Sequence, residues 1–373
     1  MGLEPKSAVG LARKIAADFA LLLINQAPDL FHRRVFFGDA DCVFSHDYFD
    51  YVNQTFAEKN PACVLAKLDH DWVFSSAEKN SAISHGLAKS THLYQRAIEF
   101  YQQAIELVCG SYSYVPIGST ITVNADAYAK VRGVPLRAAG EDFYLLNKLN
   151  KLTTGHAQSN DLDKGGSLIG PGVVTNSQAQ VTAQIRTSSR CPFGTGPSVL
   201  ATIERNADET NRALTIAYYD WRVFVMLKYF YEWLSAACLT DPKNSADQTD
   251  FFSSFELPTV NLSCQNPNLE HEGFSAKLVA KAVKELADTL DARKLYQHLH
   301  AQHPLKNSAS KQQQERCIQQ RTHALFVWYD AFKILKSVHV LRDHYFPNQD
   351  YDFDRFSSAL HKLRSFTTRS TVL

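Results

Sequence analysis

Two carboxylates stand two positions apart directly after an apolar run. Asp39 and Asp41 follow segment 34–38, whose Val-Phe-Phe has the composition of a buried strand. Side chains at the carboxyl end of a parallel strand open into the crevice where α/β sheets bind ligands. Mg²⁺ typically takes one or two carboxylates and completes its shell with waters and substrate phosphates. The pair therefore predicts a divalent cation site; the simpler interpretation is one capping Asp beside a solvated one.

A second acidic pair, Glu141 and Asp142, begins an apolar segment with the spacing of a helix. A carboxylate in the first turn of a helix gains about 0.3–1 kcal/mol from the helix dipole, which favours the ionised form that accepts a proton. The pair is therefore a candidate for general-base chemistry. The alternative is that both acids serve only as helix-start residues.

A third segment, Arg186 to Gly196, combines two arginines with hydroxyl side chains and glycines. Arginine can form paired hydrogen bonds with phosphate oxygens, and glycine permits a close backbone approach. The spacing matches neither a P-loop nor a dinucleotide-binding glycine motif. Taken alone, the segment is as consistent with an ordinary turn as with an anion site.

The elements that would position these residues alternate between strand and helix. Apolar side chains from Leu11 to Leu23 recur at helical spacing, which predicts a helix over 8–26 with this stripe facing a core. We expect an α/β domain with a mixed, mostly parallel sheet flanked by helices. The predicted strands are 34–38, 62–66 and 117–123, and the further predicted helices are 47–58, 90–108, 124–132 (capped by Asn124) and 141–152.

The pattern changes after residue 205. Segments 211–239, 274–300, 311–340 and 352–365 have helical periodicity, whereas 241–273 is polar and irregular. The polar stretch 153–189 predicts loops with one or two short strands. We therefore expect two domains, an α/β domain over 1–205 and a helical domain over 206–373.

Composition excludes several classes of protein. The chain has 45% hydrophobic and 21% charged residues, an ordinary globular composition, and 39 basic against 38 acidic residues leave no field that would favour nucleic acid. Seven cysteines without CxxC spacing suggest neither a disulfide framework nor a zinc site. The longest apolar stretch, 213–239, is interrupted by charges, and the N-terminus lacks a signal-peptide pattern. These observations predict a cytoplasmic protein without a transmembrane segment.

Taken in order, the motifs resemble the family 2 glycosyltransferases of the GT-A fold. The resemblance covers about residues 8–200. It rests on the following matches: the helical Gly10-Leu-Ala-Arg-Lys, the DxD Asp39-Ala-Asp41, the strand Gly118-Ser-Thr-Ile-Thr-Val-Asn, then Tyr128-Ala-Lys-Val-Arg-Gly-Val, and Gly140-Glu-Asp-Phe as the xED motif. The order and spacing of these motifs are more specific than any one of them. Nothing comparable is found in 205–373.

The resemblance implies a metal-dependent, inverting transfer of a sugar from a nucleotide diphosphate to a hydroxyl of a carbohydrate or glycoconjugate acceptor. It implies that Asp41 and Asp39 hold Mg²⁺ or Mn²⁺ on the donor diphosphate and that Asp142 deprotonates the acceptor, with Glu141 beside it. Further candidates are Arg186 and Arg190 for the donor and His156 for the metal. Peripheral association with the inner face of the membrane and a homo-oligomer are left open.

One feature departs from the family pattern. Each βαβ unit needs about 30 residues, and Asp39 stands too near the start for all the strands that hold the nucleoside. We expect the sequence to lack those strands or another segment or subunit to supply them. Two alternatives follow: a non-catalytic GT-A-like remnant that acts as an interaction or scaffold domain, and a phosphohydrolase with Asp39 as nucleophile and Asp41 as acid.

Overall fold

The computed structural model describes residues 8–26, 33–72, 82–137, 139–152, 171–187, 194–207, 213–240, 272–305 and 309–367. The strands are β1 (Arg34–Phe36), β2 (Cys42–Phe44), β3 (Cys63–Asp71), β4 (Ile121–Asn124), β5 (Val173–Gln184), β6 (Ile216–Tyr218) and β7 (Gln349–Tyr351). The helices are α1 (Ala8–Gln26), α2 (Tyr48–Lys59), α3 (Ala82–Cys109), α4 (Ala125–Lys130), α5 (Glu141–Asn150), α6 (Thr195–Arg205), α7 (Trp221–Leu239), α8 (Ala276–Leu290), α9 (Ala292–Gln302), α10 (Lys311–Trp328), α11 (Ala331–His344) and α12 (Phe353–Thr367).

Five strands form one sheet in the order β1-β4-β3-β5-β2. Strand β3 lies at its centre, and Cys63 to Ala66 are all buried. Among the described strands of this sheet, β3 and β5 alone pair in parallel; the pairings β1–β4, β3–β4 and β2–β5 are antiparallel. The α/β class and the mixed sheet are confirmed, but the prediction of a mostly parallel sheet is wrong. A short, wholly buried strand has the same composition in either direction, so its sequence does not specify the direction of its neighbour.

The sheet is curled. Strands β1 and β2 stand at opposite ends of the strand order, yet Phe36 of β1 and Phe44 of β2 both contact Tyr48, with ring centroids 6.3 and 4.7 Å away. Tyr48 begins α2 and is fully buried. The short connection 37–41 therefore lies where the two edge strands approach each other.

Helix α1 has the predicted bounds but the opposite orientation. Ile15, Phe19 and Leu22 of the apolar stripe are about 60% exposed, whereas Gly10 and Ala17 are buried. A Cβ built on Gly10 would lie 2.7 Å from the carbonyl oxygen of Arg137, so only glycine permits this close approach. The prediction that the stripe faces a core is wrong, because α1 packs through small residues and through its charged side.

The short helix α4 is capped as predicted. The side chain of Asn124 accepts hydrogen bonds from the backbone N–H groups of Asp126 and Ala127, at 2.9 and 3.1 Å. This arrangement satisfies two of the N–H groups that have no partner within the helix.

The described residues divide into two compact units. The first comprises 1–99 and 114–216, and the second comprises 100–113 and 217–373. This division differs from the predicted boundary at 205, because the last ten residues of the continuous helix α3, from Phe100 to Cys109, belong to the second unit.

The second unit is mainly helical in its described part. Helix α7 is its central element and contacts each of α8 to α12. Its side chains Phe224, Phe230 and Trp233 are at most 2% exposed. In the described part of the chain, no helix is long and apolar enough to cross a membrane.

Candidate functional site

Asp39 and Asp41 lie in the connection between β1 and β2. The backbone N–H of Cys42 donates to the carbonyl of Asp39 at 3.1 Å, which closes a tight turn. The N–H of Gln184 donates to the carbonyl of Asp41 at 3.2 Å, which ties the turn to the end of β5. The fold therefore presents both carboxylates on one short turn where the edges of the curled sheet meet.

Arg13 joins the two acidic motifs. Its Nη2 donates to Oδ1 of Asp39 at 2.7 Å, and its Nη1 forms an ion pair with Oε1 of Glu141. The Glu141 side chain is 5% exposed, so this buried carboxylate depends on a counter-ion. Burial lowers the pKa of the Arg13 guanidinium, but the charges of Asp39 and Glu141 and the hydrogen bond to Asp39 outweigh burial and raise it. Arg13 is therefore firmly charged, and it holds the DxD turn beside the first turn of α5.

The space for this guanidinium is provided by Gly118. A Cβ built on Gly118 would overlap the Arg13 guanidinium. The same cleft has an apolar floor of Phe37, Ile121, Val134 and Leu145, beside Glu141 and Asp142. Such a floor lowers the local dielectric and strengthens the interactions among the charged groups above it.

Arg186 lies just after β5 and forms an ion pair with Oδ2 of Asp41. Its position near the DxD turn follows from the hydrogen bond that ties this turn to the end of β5. Its side chain is 43% exposed, so it is accessible to a ligand. Among the described residues, the four carboxylates of the two acidic motifs and the guanidinium groups of Arg13 and Arg186 give the site a formal charge of −2.

Asp142 has the most perturbed carboxyl group of the site. Burial and then the charge of Glu141 raise its pKa to about 6, against smaller opposing effects of the Phe143 N–H and of Arg13. Gly140, with a φ of 72°, is the N-cap residue of α5 and directly precedes these two acids. A carboxylate with a pKa near working pH is well matched to accept and release a proton.

Helix α6, which follows Arg186 in the chain, begins near Tyr94 and Asp142. The hydroxyl of Tyr94 on α3 forms hydrogen bonds with Thr195 and Ser198 in the first turn of α6. Tyr94 also interacts electrostatically with Asp142. Burial is the main cause that raises the pKa of Tyr94, so its hydroxyl is neutral. The first residue of the third predicted segment, Arg186, therefore contacts Asp41, and Thr195 near its end lies close to Tyr94 and Asp142.

The donor set fits a hard divalent cation in part. Ligand atoms of Asp39, Asp41 and Cys42 lie within 4.8 Å of one another. Burial, opposed by a hydrogen bond with Ser119, raises the pKa of the Cys42 thiol, so it stays protonated, and Mg²⁺ and Mn²⁺ prefer oxygen. The ion pairs use Oδ1 of Asp39 and Oδ2 of Asp41, which leaves each carboxylate a second oxygen for a cation. The two aspartates fit such an ion, and the thiol does not.

Two predicted site residues, Arg190 and His156, lie outside the described residues. Asp39, Asp41, Glu141, Asp142 and Arg186 come together in the first unit. Sequence analysis gave no site role to Arg13 or Cys42. The sequence places Arg13 in a helix that precedes the DxD strand. This position does not indicate that its partners are Asp39 and Glu141.

Comparisons with protein-family models, with curated proteins and with solved structures gave no match for this chain. The resemblance to family 2 glycosyltransferases therefore rests on the motifs alone.

Proposed function

We propose that the first unit is a metal-dependent inverting glycosyltransferase that uses a nucleotide-diphosphate sugar as donor. The observation that carries this proposal is the junction at Arg13, which brings the DxD carboxylate Asp39 and the xED carboxylate Glu141 onto one guanidinium. These motifs are separated by about a hundred residues in the sequence, and a shared active site requires them to meet. An ordinary turn and an ordinary helix start have no such requirement.

The residues divide the chemistry between two sides of the site. Asp39 and Asp41 hold a Mg²⁺ or Mn²⁺ ion, which when bound neutralises charge on the leaving diphosphate. Arg186 is near enough to Asp41 to contact the same diphosphate. His156 and Arg190 are further candidates for metal and donor, respectively.

Asp142 acts as the general base on the acceptor side. The acceptor oxygen forms a bond to the anomeric carbon as the bond from that carbon to the phosphate oxygen breaks. The nucleoside diphosphate leaves with the electron pair, and the acceptor proton passes to Asp142. Glu141 holds Arg13 and adds negative charge that strengthens the basicity of its neighbour.

The test is the release of nucleoside diphosphate from a panel of uridine and guanosine diphosphate sugars, with candidate acceptors and Mn²⁺. We expect release with at least one donor, loss of release on chelation, and a fall of about 100-fold or more in Asp142→Asn, because general-base catalysis contributes about 10²–10⁴. Unchanged turnover by Asp142→Asn would rule out the base assignment.

One observation favours the non-catalytic alternative, in which the unit is an interaction or scaffold domain. Arg13 and Arg186 already neutralise the two DxD carboxylates, as in a structural ion-pair network. The alternative predicts that nucleoside diphosphates do not bind in the presence of Mn²⁺. Metal-dependent binding would exclude it.

A further inference from the structure

We propose that Arg13 is a positioning residue that competes with the divalent cation for Asp39 and is kept in place for this task by Glu141. The inference deepens the proposed function and rests on it. It assigns to the site an internal cation that holds one oxygen of Asp39 and repels a divalent ion bound at the other. It also links the metal side of the site to the side that carries the base.

The two ion pairs of Arg13 differ in how much free energy it costs to break them. Asp39 is 44% exposed and sits on a turn, whereas Glu141 is 5% exposed at the start of a helix. Loss of the contact to Asp39 returns that carboxylate to water at little cost. Loss of the contact to Glu141 would leave a buried charge without its counter-ion, which is far more costly. Arg13 therefore stays with Glu141 when a cation binds to Asp39.

Competition follows from charge and distance. The Nη2 atom of Arg13 lies 2.7 Å from Oδ1 of Asp39, so a cation bound to the same carboxylate lies within a few ångströms of a guanidinium. Like charges at such a separation repel each other appreciably, even at the high effective dielectric of a protein surface. Removal of the guanidinium should therefore tighten cation binding by about tenfold.

Gly118 provides an independent way to move the guanidinium. The residue lies in a short 3₁₀ turn, and a Cβ there would occupy the position of the Arg13 guanidinium. Gly118→Ala displaces the guanidinium but retains its charge and its helix. If Arg13 acts by its position on Asp39, this variant should reproduce part of the effect of removing the arginine.

The experiment measures Mn²⁺ binding to the complete chain by calorimetry and by the electron paramagnetic resonance signal of free Mn²⁺. Arg13→Gln should bind about tenfold more tightly than the unsubstituted protein, and Gly118→Ala about threefold more tightly. The matched control is Arg33→Gln, which removes the same charge from the exposed pair with Asp126 in the same unit and should change binding less than twofold. Circular dichroism verifies that each variant is folded.

A second pair of variants tests the role of Glu141. In Glu141→Gln, Arg13 loses its ion pair with Glu141 and keeps the one with Asp39. Arg13 then competes more strongly for Asp39, so Mn²⁺ should bind about fivefold more weakly. In the Arg13→Gln background, the same substitution should change binding less than twofold. A general loss of negative charge would weaken binding equally in both backgrounds, and that result would contradict the coupling through Arg13.

The outcomes separate this inference from the proposed function. Equal Mn²⁺ affinity in Arg13→Gln, Gly118→Ala and the unsubstituted protein would overturn the role of Arg13 and leave the cation site intact. No Mn²⁺ binding by any of these proteins would overturn both. Binding by Arg13→Gln but not by the unsubstituted protein would support the competition at Asp39 and overturn the proposed metal dependence of the unsubstituted chain.

Discussion

Burial and the charge of Glu141 make the ionised form of Asp142 unfavourable in the folded protein, and they raise its pKa to about 6 from an ordinary value of 3.8. Arg13 limits this effect because it neutralises Glu141. This environment therefore costs stability. Under the proposed function it also suits a base at neutral pH, and function and stability are then opposed at this residue.

Because the folded protein disfavours the ionised carboxylate of Asp142, we expect Asp142→Asn to be more stable at high pH. The native state binds a proton more readily than the unfolded chain between about pH 4 and pH 6, so the contribution of Asp142 to stability falls as pH rises through this window. At pH 8, Asp142→Asn should exceed the unsubstituted protein by about 1–2 kcal/mol in the free energy of unfolding, and at pH 4 the difference should vanish.

Urea unfolding at the two pH values measures this difference. Asp126→Asn is the control, since it makes the same substitution in an exposed surface pair and should change stability by less than about 0.5 kcal/mol at both values. A destabilised Asp142→Asn at pH 8 would contradict the environment assigned to Asp142.

The positions of the acidic motifs relative to strands and helix starts were predictable from sequence, because these positions are local information. Asp39, Asp41, Glu141 and Asp142 all fall at such positions. The contacts of Arg13 were not predictable, because they depend on two partners far along the chain and on the absence of a side chain at Gly118.

Helix α1 shows, at the level of secondary-structure elements, that sequence predicts local structure better than it predicts contacts between distant residues. Its bounds were predicted by apolar periodicity, but its orientation is set by the ion pairs of Arg13 and by the close approach of Gly10 to the backbone near Arg137. Strand β5 was missed as a long strand because its sequence is polar and only Ala179 and Val181 are buried. Periodicity predicts that an element exists more reliably than it predicts what the element contacts.

The orientation of α1 can be tested by substitutions on its two faces. Phe19→Ser and Leu22→Ser should each change the free energy of unfolding by about 0.5 kcal/mol or less, because both side chains are largely exposed. Ala17→Leu should destabilise the protein by about 1–3 kcal/mol, because Ala17 is 2% exposed and a larger side chain has no room. The reverse pattern in chemical denaturation would show that the apolar stripe is buried.

For the whole molecule, the division into units does not follow the chain. The C-terminal end of α3, from Phe100 onward, belongs to the second unit, where the ring of Phe100 lies 5.6 Å from that of Phe224 and 5.5 Å from that of Phe356. A sequence-based boundary at residue 205 separates α3 from these partners. Composition changes mark where the chain changes character, and they carry no information about a segment that folds with residues more than a hundred positions away.

A fragment of residues 1–205 should therefore be poorly folded. It would expose Phe100, Ile105 and Val108, which are at most 7% exposed in the complete chain. We expect strong binding of a hydrophobic dye and a broad thermal transition, with the complete chain as the control. A sharp transition without dye binding would show that 1–205 is an independent domain.

The central claim, that Asp39 and Asp41 hold a divalent cation on a donor diphosphate, is tested most directly by calorimetric titration of the complete chain. Uridine and guanosine diphosphates are titrated with and without Mn²⁺ into the unsubstituted protein, Asp41→Asn and the control Asp126→Asn. We predict binding of at least one nucleotide only with Mn²⁺, retained in Asp126→Asn and weakened about tenfold or more in Asp41→Asn. Absence of binding with Mn²⁺, or equal binding without it, would contradict the claim.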